Sequence, residues 1–132
     1  MKEAYVSYEV AQLLKKKGFD EKFYFFYRTD DEVKNIHHAV IAQPLEYSKK
    51  IDDEVIAAPT QARAHAWLRE NHNICITIYP DIENGYEAVL YDIENDVEIV
   101  LQSFGVYGIH IYREIYEDAV EAAIKYCLEN LI

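Results

Sequence analysis

Five histidines, His37, His38, His65, His72 and His110, are the residues best suited to metal binding or to proton transfer near neutral pH. Their spacing does not converge. A zinc site draws three or four ligands from short spacings such as i,i+4 on a helix or C-x2-C, and the chain has neither. His65 and His72 are seven apart, and the adjacent His37 and His38 point to opposite sides of any strand that holds them. Cys75 and Cys127 lie far apart without metal-type spacing, and read as reduced, buried small hydrophobes of a cytosolic protein, with disulfide pairing the lesser alternative. Ser7, Ser48 and Ser103 lack a nucleophile-elbow context, and the four glycines form no phosphate loop. These residues predict no catalytic site, no metal and no cofactor, and hence a protein that is not an enzyme.

The carboxylates are the other chemistry-bearing set. Asp81, Glu83, Asp92, Glu94, Asp96 and Glu98 are expected to gather at one end of a hairpin. Asp81-Ile82-Glu83-Asn84-Gly85 matches a fragment of a calcium loop but lacks its closing glutamate, so it reads as a solvated turn. Residues 1–69 carry 11 Lys/Arg against 11 Asp/Glu, whereas 70–132 carry only Arg113 and Lys125 against 13 acids. The whole formal charge of −11 therefore belongs to the second half. Nucleic-acid affinity comes chiefly from Lys and Arg displacing counterions, so direct nucleic-acid binding is not expected. A basic protein partner is, with Asp92, Glu94, Asp96 and Glu98 as the surface that meets it. An alternative site is an aromatic pocket for a small molecule, walled by Phe23, Phe25, Tyr27 and Trp67. The load of 12 tyrosines and 5 phenylalanines also fits a homo-oligomeric structural protein, because aromatics are enriched at interfaces.

Three helices frame these residues. In the first, Ser7 caps the start, Val10, Ala11 and Leu14 form the apolar stripe, and Gly18 sits just past the end. Lys15, Lys16 and Lys17 lie in its last turn, where cations complement the helix dipole. The second starts at Thr60, buries Ala64, Trp67 and Leu68, and ends near Asn71–Asn73. The third spans Ile115–Asn130 with Ala119, Val120, Ala123, Ile124, Cys127 and Leu128 on one stripe.

Strands are expected at Phe23–Tyr27, at His37–Ala42, from Ile74 to a stop at Pro80, at Tyr86–Ile93, at Asp96–Leu101 and at Ile109–Tyr112. Residues at about 29–59 are weakly patterned. Consecutive strands late in the chain predict an α+β fold: one domain over 1–132, with an antiparallel or mixed sheet of about four strands and helices packed on one face. No apolar run approaches the roughly 18 residues of a membrane span, and the first residues lack a signal peptide's apolar region, so a cytoplasmic protein off the membrane is expected.

Three blocks carry a resemblance: Val6–Asp20, Ala57–Asn73 and Tyr116–Ile132. Together they resemble a family of short, uncharacterised proteins found in gut Bacteroidales and their phages or mobile elements. The resemblance implies a phage-related, cytoplasmic setting. It brings no activity and no functional residues. Thr29–Asp53 and the acidic hairpin depart from the family pattern or are undefined in it. The combined expectation is a small phage or mobile-element accessory protein that binds a macromolecular partner through an acidic surface.

Overall fold

The computed structural model describes residues 3–39, 43–49, 51–99 and 111–132. Its architecture is α+β, with three helices and two antiparallel sheets. The Cα packing divides the chain into two compact units, Met1–Thr60 and Gln61–Ile132.

In the first unit, α1 (Tyr8–Lys16) begins where the Ser7 hydroxyl accepts the Val10 N–H at 3.2 Å. It ends in a Schellman turn: Phe19 N–H reaches the Leu14 carbonyl at 2.9 Å, and Gly18 N–H reaches that of Lys15 at 3.2 Å. That turn needs the left-handed backbone of Gly18, whose φ is +96°. Phe19 and Leu14 are both buried, which supplies the apolar contact that accompanies the motif. Strands β1 (Phe25–Arg28), β2 (His37–His38) and β3 (Val55–Ala57) form a sheet in the order β2-β1-β3. Tyr27 is buried, with its hydroxyl donating to the Val6 carbonyl at 2.7 Å and its ring edge-on to Tyr8.

The segment at 29–59 is more regular than its composition suggests, since it holds β2 and β3. Lys34 closes its first turn, donating to the carbonyls of Arg28, Thr29 and Asp31 at 3.2, 2.7 and 2.5 Å. Arg28 bonds both Asp30 and Asp52, which holds the guanidinium above its usual range and the Asp30 carboxyl below its own, while the Asp52 carboxyl is lowered first by the Glu54 N–H and then by Arg28. The acidic clusters of this segment are therefore partly neutralised where they stand. Of the strand expected at His37–Ala42, only His37 and His38 pair; Val40–Ala42 lie outside the described residues.

The second unit follows the expected plan of four antiparallel strands with helices on one face. Helix α2 (Gln61–His72) reverses at Asn73, whose φ of +56° feeds the chain straight into β4 (Ile74–Asp81). Strand β5 (Gly85–Asp92) pairs with β4 along its full length, and β6 (Val97–Glu98) and β7 (Ile111–Arg113) lie end to end on the other edge of β5. Helix α3 (Tyr116–Asn130) packs across β4, β5 and β7 and beside α2. The register puts Ile76 opposite Leu90, and Ile78 and Ile111 beside Ala88, on the helix-covered face. Beneath them α3 contributes Ala119, Ala123, Ile124, Cys127 and Leu128, all fully buried.

One expectation fails here: β4 does not stop at Pro80 but runs through it to Asp81. The strand is an edge strand, and its outward side needs no N–H from a proline. Of the strands expected at Asp96–Leu101 and Ile109–Tyr112, Val100–His110 lie outside the described residues.

Two substitutions separate core from surface on α3. Leu128→Ala should cost about 2–5 kcal/mol in chemical denaturation, because it leaves a hole under the sheet. Glu129→Ala, on the exposed side, should change stability by less than about 0.5 kcal/mol. A third tests the β4–β5 turn: Gly85 has φ +87°, and a Cβ there would lie 2.6 Å from the Arg113 carbonyl oxygen. Gly85→Ala should therefore destabilise by at least about 2 kcal/mol, through backbone strain and the clash together.

Candidate functional site

Because side chains alternate along a strand, burying one face of the four-stranded sheet leaves a second, complementary set. Tyr91 stands between Cys75 and Glu98, Thr77 lies beside Val89, and Glu87 stands between Tyr79 and Tyr112. Within the second unit, neither α2 nor α3 is packed on this side of the sheet among the described residues. Tyr79 is 52% exposed, Glu98 is exposed, and Cys75, Thr77, Val89, Tyr91, Glu87 and Tyr112 are half-buried. The face is rich in tyrosine and carries carboxylates but no Lys or Arg. Arg113, the cation nearest in sequence, pairs with Tyr86 on the opposite side of the sheet.

Electrostatics on the face is that of carboxylates acting on phenols. Tyr91 donates its hydroxyl to the Asp96 carboxylate, which holds the phenol above its usual range. Tyr112 is also held high, first by burial and then by the charges of Glu87 and Asp81. Across the unit Gln61–Ile132, 4 Lys/Arg stand against 13 Asp/Glu, so the unit itself holds no excess of cations to offset this field.

The acidic residues singled out in the sequence divide into two kinds. Asp92 accepts the Asn95 N–H at 3.2 Å and its side-chain amide at 2.7 Å, which lowers the Asp92 pKa. Asp96 has φ +55° and receives Tyr91. Both therefore build the β5–β6 turn, while Glu94 and Glu98 project into solvent. Asp81 and Glu83 do not join them: they belong to the β4–β5 turn, at the other end of β5 and about 24 Å away at the usual rise per residue. The pairing explains this, since consecutive turns of an antiparallel meander alternate between ends. Asp81 is a turn cap, accepting Glu83 N–H at 3.0 Å and Asn84 N–H at 2.8 Å.

The aromatic set divides between the two units. Phe23 and Tyr27 are buried in the first unit, Phe25 packs against Tyr5 and His38 there, and Trp67 is buried on α2 of the second. Phe23, Tyr27 and Trp67 are core residues. The histidines separate likewise. His37 bonds Asp31 at 2.7 Å and stacks on Phe26, His72 meets the edge of Trp67, and His110 lies outside the described residues. Among the described residues no three His, Cys, Asp or Glu converge as metal ligands. Cys127 is sealed in the core, which pushes its thiol up to about 12.

Sequence reasoning missed Tyr79, Glu87 and Tyr112. The signal was present in the alternation of Ile74, Ile76 and Ile78 with Cys75, Thr77 and Tyr79, but only the register identifies their cross-strand neighbours. No family model matches the chain, and no curated protein or solved structure is significantly similar to it.

The edge that bounds this face carries a titratable latch. The Ile76 N–H, pointing out from β4, donates to His65 Nε2 on α2 at 2.9 Å. That bond requires a neutral ring, and burial, then the charge of Arg69, lowers the His65 pKa below its ordinary 6.5. The unfolded chain therefore takes up this proton first as the pH falls. The latch's stabilisation is complete above pH 6.5 and is lost as acidification passes the lowered folded value. Urea midpoints measured from about pH 7.5 to 5 should fall for the native chain and fall less steeply for His65→Gln, which keeps an acceptor but does not titrate.

Proposed function

We propose that this protein is a non-catalytic binding module whose open β-sheet face docks a basic protein surface. The observation that carries the reading is the composition of that face: three tyrosines and the carboxylates of Glu87 and Glu98, with no Lys or Arg among them. Tyrosine supplies rigid contact area with a polar tip, and an unopposed negative field steers cationic partners and repels phosphate backbones. No helix among the described residues is long and apolar enough to cross a membrane, which is compatible with this role. On this reading the module works in a phage or mobile-element setting in the cytoplasm, as the resemblance of its terminal and central blocks implies, where basic host proteins are available targets. Glu98 remains part of the proposed contact surface. Asp92 and Asp96 act at one remove, by holding the hairpin that presents it.

The test is affinity capture from host lysate with the native chain and with Glu87→Lys/Glu98→Lys, at low and high salt. A basic protein retained by the native chain should be released by high salt and lost from the charge-reversed form. Identical captures by the two forms would contradict the reading.

A further inference from the structure

Within the open face, one cross-strand row differs from the rest. Tyr79 on β4, Glu87 on β5 and Tyr112 on β7 are direct neighbours in the ladder, with the carboxylate in the middle. Directly paired side chains stand about 4.5–5.5 Å apart at Cβ, so Glu87 has a tyrosine as its direct neighbour on each side. The other rows lack this arrangement: Cys75–Tyr91–Glu98 has one ring, which is bonded to Asp96, and Thr77–Val89 has none.

We infer that the Tyr79–Glu87–Tyr112 row is a receptor for a single arginine side chain projecting from a basic protein partner. The inference rests on the reading of the open face given above and names the chemistry at its centre. A guanidinium is planar, so it lies against a phenol ring while its N–H fork meets a carboxylate edge-on. It is also less strongly hydrated than an ammonium, which lowers the cost of bringing it onto a half-buried surface. Lysine satisfies the charge but not the plane. A carboxylate accepts several donors at once, so Glu87 takes the fork alongside its contacts within the chain.

Charge complementarity favours this occupant over others. Glu87 and Asp81 both act on the Tyr112 phenol, so the negative potential of two carboxylates meets at this row. A nucleotide or an acidic peptide would meet like charge in these carboxylates, and a purely apolar segment would bring no opposite charge to Glu87 while taking it out of water.

Binding of an arginine-rich peptide, its Arg→Lys counterpart and its Arg→Gln counterpart should be measured by calorimetry with the full chain. The variants are Glu87→Gln, Tyr79→Thr and, as a remote control on α3, Glu129→Gln, each checked for native thermal unfolding. The native chain should bind the arginine peptide at least about threefold more tightly than the lysine peptide, and the glutamine peptide weakest. Glu87→Gln and Tyr79→Thr should each weaken arginine binding about three- to tenfold and erase the preference over lysine. Glu129→Gln should leave both unchanged. Tyr79 is half-exposed and threonine suits a strand, so that variant tests the row even if Glu87→Gln is poorly folded. Equal affinity for arginine and lysine peptides, unaffected at Glu87 and Tyr79, would overturn the receptor while leaving a diffuse acidic docking face standing. No binding of either basic peptide by the native chain would overturn both.

Discussion

The eight-residue antiparallel ladder between β4 and β5 is the constraint on which the rest of the second unit depends. Its register commits Ile74, Ile76, Ile78, Ala88 and Leu90 to the helices, and the pleat then leaves Thr77, Tyr79, Glu87, Val89 and Tyr91 no alternative but the opposite side. A slip of one residue would exchange the two sets, burying Glu87 under α3 and exposing the isoleucines. The turn at Gly85 and the turn at Asn73 guard against that slip from the two ends of β4. Each needs a backbone with positive φ, and the chain supplies Gly at the crowded one and Asn at the other.

The edge of β4 shows how the same strand avoids pairing with a neighbour while presenting a broad face. Unpaired strand edges invite addition of another strand. Here the Ile76 N–H is taken by His65, and Pro80 removes another donor from the same edge. Contact through the edge is therefore disfavoured, and contact across the face is left as the available mode. That division accounts for why the carboxylates and tyrosines, rather than backbone groups, carry the proposed recognition.

Much of the fold was legible from local pattern. The stripe of α3, the Ser7 cap and Gly18 turn of α1, and the alternation of β4 each rest on residues near one another in sequence. Strand β3 was not seen. Val55-Ile56-Ala57 is a short apolar run buried on all three residues, so it shows no alternation, and the acidic turn before it drew the segment into an apparent loop. The candidate site was legible only in part. Net charge points to the second half, and Glu98, singled out from the sequence, is exposed there. Tyr79, Glu87 and Tyr112 are brought together by pairing over a sequence distance that no local periodicity reports. Asp92 and Asp96 looked like free charges because a sequence does not reveal that their carboxylates are already accepting from Asn95 and Tyr91.

The central claim is that the helix-free face of the second sheet is where a basic partner sits. The most direct measurement is an NMR titration of the isotope-labelled full chain with an arginine-rich peptide, following backbone amides and tyrosine rings residue by residue. The account predicts perturbations at Thr77, Tyr79, Glu87, Val89 and Tyr112, with the exposed side of α3 at Glu117, Asp118 and Glu129 unmoved. Perturbations confined to that side of α3, or to helix α1, would contradict it.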